Sequence, residues 1–211
     1  MSTMGKMKNA LFVLIVLIAA AVAAQASIVG SAHDFSKKGW GSNEICIFCH
    51  GSHGGMSGGS GSSPGGGGGA SPKGGSGSNG VPGMPAWNHQ MSTATYTLYR
   101  SSSLKGMPEQ PRGPSKLCLS CHDGTVAVDS YNGRNGTNFI TGRANLGTDL
   151  SGNHPISIRW NQQPNKEGLP AYDGYLECNT CHDPHNGSPQ YPKMLRAQLA
   201  GSVLCLSCHA R

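Results

Sequence analysis

Apolar positions fall into two unlike patterns along this chain. Ala10 to Ala24 is an unbroken apolar run behind Lys6 and Lys8 and ahead of Ala24-Gln25-Ala26, the order of an export leader with a small-residue cleavage site. Residues 1–26 are therefore expected to leave the chain, with Ser27 as the new start. The run is short for a hydrocarbon span, which takes about 20 residues, so no permanent membrane anchor is expected. After Ser27, long periodic apolar segments are missing, and Gly and Pro interrupt almost every stretch that could run as a long helix. The pattern predicts short α-helices, little sheet and mostly irregular chain. Residues 51–83 are dominated by Gly and Ser, including Gly65 to Gly69. Such a segment cannot bury enough surface to order itself, and reads as a flexible insert.

A chain with so few periodic apolar segments needs another source of core. The 8 cysteines supply it. All of them fall in four copies of one pattern: Cys46-Ile47-Phe48-Cys49-His50, Cys118-Leu119-Ser120-Cys121-His122, Cys178-Asn179-Thr180-Cys181-His182 and Cys205-Leu206-Ser207-Cys208-His209. Cys-x-x-Cys-His is the attachment site of haem c. Two thiols add across the porphyrin vinyl groups, and the next residue turns its imidazole onto the iron. Structural zinc also uses paired cysteines but gives no reason for a histidine after each second one. A disulfide framework is equally silent about the histidines. Four haem c groups, held by Cys46, Cys49, Cys118, Cys121, Cys178, Cys181, Cys205 and Cys208, with His50, His122, His182 and His209 as proximal iron ligands, would themselves be the core of a single tetrahaem domain over 27–211. The expected fold is a multihaem cytochrome c fold wrapped around stacked cofactors, with short helices at the binding motifs. The interval between motifs is shortest between the third and fourth, which places the last two haems close together.

The net charge of +6 does not point to nucleic acid. Lys6 and Lys8 leave with the leader, the haem propionates offset the remainder, and Arg100, Arg134, Arg143 and Arg159 are scattered singly rather than clustered in a stripe. They read as propionate partners or solvated surface.

Four proximal ligands leave His33, His53, His89, His154 and His185 for four open iron positions. If imidazole caps every iron, no position is left for a small substrate, which favours an electron carrier over a haem enzyme. His53 and His185 each follow a proximal histidine by three positions, in CHGSH and CHDPH. That spacing sets His185 about one turn along on the same side as His182, so it reaches a neighbouring iron more easily than its own. His89, in Trp87-Asn88-His89, and His154, in Asn153-His154-Pro155, are remote from any motif and free to approach an opposite face. His33 lies near the new chain start and can bind within its own subunit or in another. Met84, Met91 and Met107 are competing ligands with no distinguishing pattern. Asp123 and Asp183 follow proximal histidines and serve either as acceptors for the imidazole or as turn caps.

The ordered series His33-Asp34-Phe35, CIFCH, Trp87-Asn88-His89, LCLSCHDGTVA, NHPISI, ECNTCHDPHN and a terminal LCLSCH resembles the OmcE-like tetrahaem c-type cytochromes that polymerise into extracellular nanowires. The resemblance spans nearly the whole chain after the leader, apart from the Gly/Ser insert. It implies bis-histidine haems, a homopolymer of identical subunits in which a histidine of one subunit completes a haem of the next, and electron transfer to redox proteins or acceptors at the cell surface or outside the cell. The family's CHTPH near the first haem stands here as CHGSH. Two other functions fit the same motifs. A monomeric periplasmic tetrahaem shuttle would differ in assembly state, and a haem enzyme such as a nitrogen-oxide reductase would need one five-coordinate iron.

Overall fold

The computed structural model describes residues 28–51, 87–160, 166–185 and 192–209. The leader, the Gly/Ser insert beyond Gly51, His53 and Met84 lie outside the described residues. Helix α1 spans Gly113–His122. A two-residue antiparallel pair follows, β1 at Ile158–Arg159 and β2 at Tyr175–Leu176, with Ile158 opposite Leu176 and Arg159 opposite Tyr175. Two single-turn helices complete the order, α2 at Cys178–Cys181 and α3 at Val203–Leu206. Turns, isolated bridges and short 3-10 segments make up the rest of the described chain.

Three helices sit on motifs: α1 ends on the second, α2 lies within the third and α3 carries Cys205 of the fourth. Pro114 opens α1, where its missing N–H costs nothing and its fixed φ suits the first turn. The helix stops where the Asp123 and Gly124 N–H groups bond back to Leu119 and Cys121 carbonyls at 2.9 and 3.1 Å. Gly124 then turns left-handed at φ +73°, and a Cβ there would strike the Asn145 side chain. The first motif departs from the expected helix and is a turn. Asn88 explains this: its backbone N–H takes the Cys49 carbonyl at 2.8 Å and its side-chain amide takes the Ile47 carbonyl at 2.6 Å, acceptors that a longer helix would need.

Two small groups of the apolar packing are each anchored by a motif residue. Leu119, inside the second motif, is fully buried with Tyr96 and Leu150, against Ala94, Leu98 and Ile156. Phe48, inside the first, is fully buried in an aromatic cluster, 4.6 Å from Tyr131 and 5.5 Å from Phe35 between ring centroids. Burying such a side chain is worth about 1.5–3 kcal/mol. The residues between the cysteines therefore hold the fold while the cysteines themselves face elsewhere. No helix among the described residues is long and apolar enough to cross a membrane.

Candidate functional site

Each motif folds so that its two cysteines and its histidine share one side. In the first, third and fourth, the histidine N–H bonds to the carbonyl of the first cysteine, His50 to Cys46 at 2.8 Å, His182 to Cys178 at 3.0 Å and His209 to Cys205 at 2.9 Å. The second motif is the end of α1. One helical turn brings positions three and four apart onto a common face, which is what attachment by two thiols and ligation by the next residue require.

The third residue of every motif is buried to within a percent: Phe48 0%, Ser120 0%, Thr180 1% and Ser207 1% exposed. In three motifs its hydroxyl accepts a backbone N–H from outside or just before the motif. Ser92 N–H donates to Ser120 at 3.0 Å, Glu177 N–H to Thr180 at 3.0 Å and Glu167 N–H to Ser207 at 3.0 Å. The Cys-x-x-Cys-His pattern itself asks for no residue type at these positions. Their signal was a run of Ser, Thr and Ser at one motif position, small hydroxyl residues suited to a buried acceptor.

The imidazoles are oriented from behind. His122 Nδ1 lies 2.8 Å from the Ala144 carbonyl, His182 Nδ1 2.8 Å from that of Lys193, and His154 Nδ1 3.0 Å from that of Pro155. A carbonyl only accepts, so the proton sits on Nδ1 and the lone pair is left on Nε2, the tautomer that a metal ligand needs. Asp123 and Asp183 are not these acceptors. Asp123 instead receives the Ser92 and Tyr96 hydroxyls and, at 2.8 Å each, the N–H and hydroxyl of Thr125. Burial works against its charge, but these hydrogen bonds prevail and hold its carboxyl below its ordinary value. Burial, and then the bond to Asp123, push the Tyr96 phenol up to about 12. Asp183 pairs with Arg196 at 2.8 Å.

Three histidine pairs form between distant parts of the chain. His33 meets His122 at 5.9 Å between ring centroids, His50 meets His185 at 5.7 Å and His154 meets His209 at 6.3 Å. Two imidazoles on opposite sides of one metal, each bonded at about 2 Å, have centroids about 6 Å apart. His185 thus lies beside the histidine of the first motif. His33 Nδ1 is also 3.2 Å from Met194 Sδ. His89 is buried beside Cys121, its ring nitrogens 2.8 and 3.0 Å from the Gln90 and Ala127 carbonyls, with Trp87 as its ring neighbour. His182 has no histidine ring contact among the described residues.

The thiols mark how the motifs adjoin. Cys118 and Cys178 hydrogen-bond to one another, which together with burial raises the Cys118 thiol well above its ordinary value. Burial, with Cys46 nearby, pushes Cys49 up to about 11. Burial and then the Cys208, Cys178 and Cys205 thiols raise Cys181. The Cys118, Cys49 and Cys181 thiols are thus poor thiolates within the fold, whereas the bond with Cys118 lowers the Cys178 thiol. Among the remaining sequence candidates, Met107 is exposed and Met91 takes a weak bond from the Ser120 hydroxyl at 3.6 Å. Arg134 and Arg159 lie over the rings of Tyr131 and Tyr175 at 5.6 and 4.7 Å.

These residues fit haem c. The donor set is two thiols and an imidazole per motif, with Nε2 left free to ligate in His122 and His182. An orphaned donor also stands at the first: the Trp87 indole N–H is buried without a hydrogen bond and its ring lies edge-on to His50 at 6.0 Å, the kind of group that a cofactor carboxylate satisfies. No curated protein matches the chain. The family model described as a doubled CXXCH motif matches residues 170–211, across the third and fourth motifs. Paired motifs of this kind mark a multihaem c-type cytochrome, a protein that holds haem c covalently and works in electron transfer.

Proposed function

We propose that the chain is a tetrahaem electron carrier with bis-histidine irons, exported and assembled with copies of itself into an extracellular conducting filament. The observation that carries the electron-transfer reading is the set of three histidine pairs at centroid distances of 5.7–6.3 Å. His50 with His185, His122 with His33 and His209 with His154 would hold three irons, and His182 the fourth, with His53 of this chain or a histidine from another subunit opposite it; His89 has both ring nitrogens on carbonyls beside the second motif and does not face His182. Bound haem c supplies a ferric–ferrous couple. The chain's part is to fix His122 and His154 within two of the pairs, and His182 at the fourth site, through the carbonyls behind them, so that little rearrangement accompanies a change of charge there.

The filament rests on the sequence resemblance. The monomeric periplasmic shuttle is favoured by one observation, that His33 sits against His122 of its own chain. Cryo-electron microscopy of the secreted holoprotein, with haem content measured on the same sample, tests both. Filaments with His33 or another histidine crossing between subunits are the expected result. Discrete particles with four capped irons would leave the shuttle. A high-spin iron that binds cyanide, expected at His182 if anywhere, would instead support the haem-enzyme reading.

A further inference from the structure

Glu177 is a buried carboxylate, 2% exposed, at the junction of the second and third motifs. It immediately precedes Cys178, whose thiol hydrogen-bonds to that of Cys118. Its pocket is made by two fully buried serines. Ser157 donates to Glu177 Oε2 at 2.9 Å. Ser115, on α1 three positions before Cys118, bonds to the same carboxyl while accepting the Cys178 N–H at 2.9 Å. The other carboxyl oxygen, Oε1, is buried without a partner.

The pocket is built rather than incidental. Ser157 is held in the left-handed region at φ +50°, where a residue with a side chain is strained. Its N–H bonds to the Leu176 carbonyl at 2.7 Å, its carbonyl accepts the Glu109 N–H at 2.9 Å and its hydroxyl accepts the Arg112 N–H at 3.2 Å. The charged and titratable groups facing Glu177 are Arg112 and Glu109 from the segment before α1, Tyr172 from the turn before β2, and Cys178. Arg112 is shared with Asp173 at 3.3 Å and Glu109 at 3.7 Å, so it does not neutralise Glu177 alone. Burial raises the Glu177 carboxyl above its ordinary value, against the serine hydrogen bonds and Arg112, with Glu109 adding to the rise.

We propose, resting on the tetrahaem reading, that Glu177 is a redox-linked proton site, binding a proton when the second or third haem is reduced and releasing it on oxidation. One electron from a donor redox protein takes one iron from ferric to ferrous, and one proton from water forms an O–H bond on the carboxyl, so the local charge is unchanged. The coupling is electrostatic and reciprocal. Lowering the positive charge beside a buried carboxylate favours its protonated form, and protonating it favours reduction by the same factor. Proton uptake on reduction means that raising the pH makes reduction harder.

Potentiometric titration of the holoprotein over a pH series tests this, alongside mass spectrometry of haem at each motif. At least one midpoint potential is expected to fall as pH rises. In Glu177→Gln, which keeps the shape and mimics the protonated carboxyl, that midpoint is expected to lose its pH dependence and stay at the wild-type low-pH value. If the variant fails to fold, reduced-minus-oxidised infrared spectra of the wild type decide. A carboxylic acid band is expected to grow on reduction and to move in heavy water and on isotopic labelling of glutamate carboxyls. Four attached haems with pH dependence unaltered in Glu177→Gln, or no glutamate band in the wild type, overturns the proton site alone. No haem on Cys178 and Cys181 overturns the tetrahaem reading with it.

Discussion

The second and fourth motifs have the same sequence, Leu117-Cys118-Leu119-Ser120-Cys121-His122 and Leu204-Cys205-Leu206-Ser207-Cys208-His209, yet they occupy different environments. Leu119 is fully buried against Tyr96 and Leu150, whereas Leu206 is half-buried, and Cys205 and His209 are exposed. The second copy ends a ten-residue helix and runs into the buried Asp123 network, while the fourth rests on a single-turn helix. Both bury the same serine and use it to accept a backbone N–H. The pentapeptide therefore carries the attachment chemistry and one anchoring hydrogen bond, and its flanks decide whether it also carries the fold.

Removing the thiols breaks this comparison most visibly. Cys205→Ser with Cys208→Ser is expected to give a soluble protein lacking one covalent haem, and Cys118→Ser with Cys121→Ser to give little folded protein. Mass spectrometry and secretion yield read both, and equal yields would show that the two sites are equally structural. Truncating the first variable leucine sharpens the contrast. Leu119→Ala is expected to cost about 2–5 kcal/mol, as for other core truncations, and Leu206→Ala about 1 kcal/mol or less, by denaturant unfolding of the holoprotein. The smallest effect concerns the loop after α1. Burial disfavours the Asp129 charge, but the Asn138 N–H and side-chain amide and the Thr137 N–H outweigh it and depress its carboxyl. A depressed carboxyl stabilises the fold above its unfolded pKa of about 3.9 and loses that contribution as pH falls through the folded value. Asp129→Asn is accordingly expected to flatten the acid limb of the thermal-stability profile near this loop, while changes around the fourth motif leave that limb in place.

The chemistry of attachment was legible in the sequence because covalent ligation demands fixed residue types at fixed spacing. The position of His185 beside His50 rather than His182 was legible in outcome but not in reason, because the chain leaves the helix at Cys181 and His182 is extended, so no helical turn separates the two histidines. The pairings of His33 with His122 and His154 with His209 were not, because they depend on how long irregular segments return. Nor were the acceptors behind the imidazoles. Ala144 and Lys193 contribute only backbone carbonyls, and nothing in their side chains announces that role. Asp123 and Asp183 left two readings open in sequence, and the structure favours the turn cap: each accepts the N–H two residues on, from Thr125 and His185, and is anchored further by hydroxyls and by Arg196. The two core groups were hidden for a different reason: an apolar residue between two cysteines shows no periodicity by which to recognise it.

The burial of the third residue in all four motifs bears on biosynthesis. An enzyme that joins haem to two cysteines has to grip the peptide around them, and in the finished fold the residue between them is sealed under neighbouring chain. Attachment therefore precedes closure wherever haem is joined. The newly made polypeptide has to stay open and reduced until the last cofactor is in place, and a segment that closes early is lost to maturation rather than merely slowed.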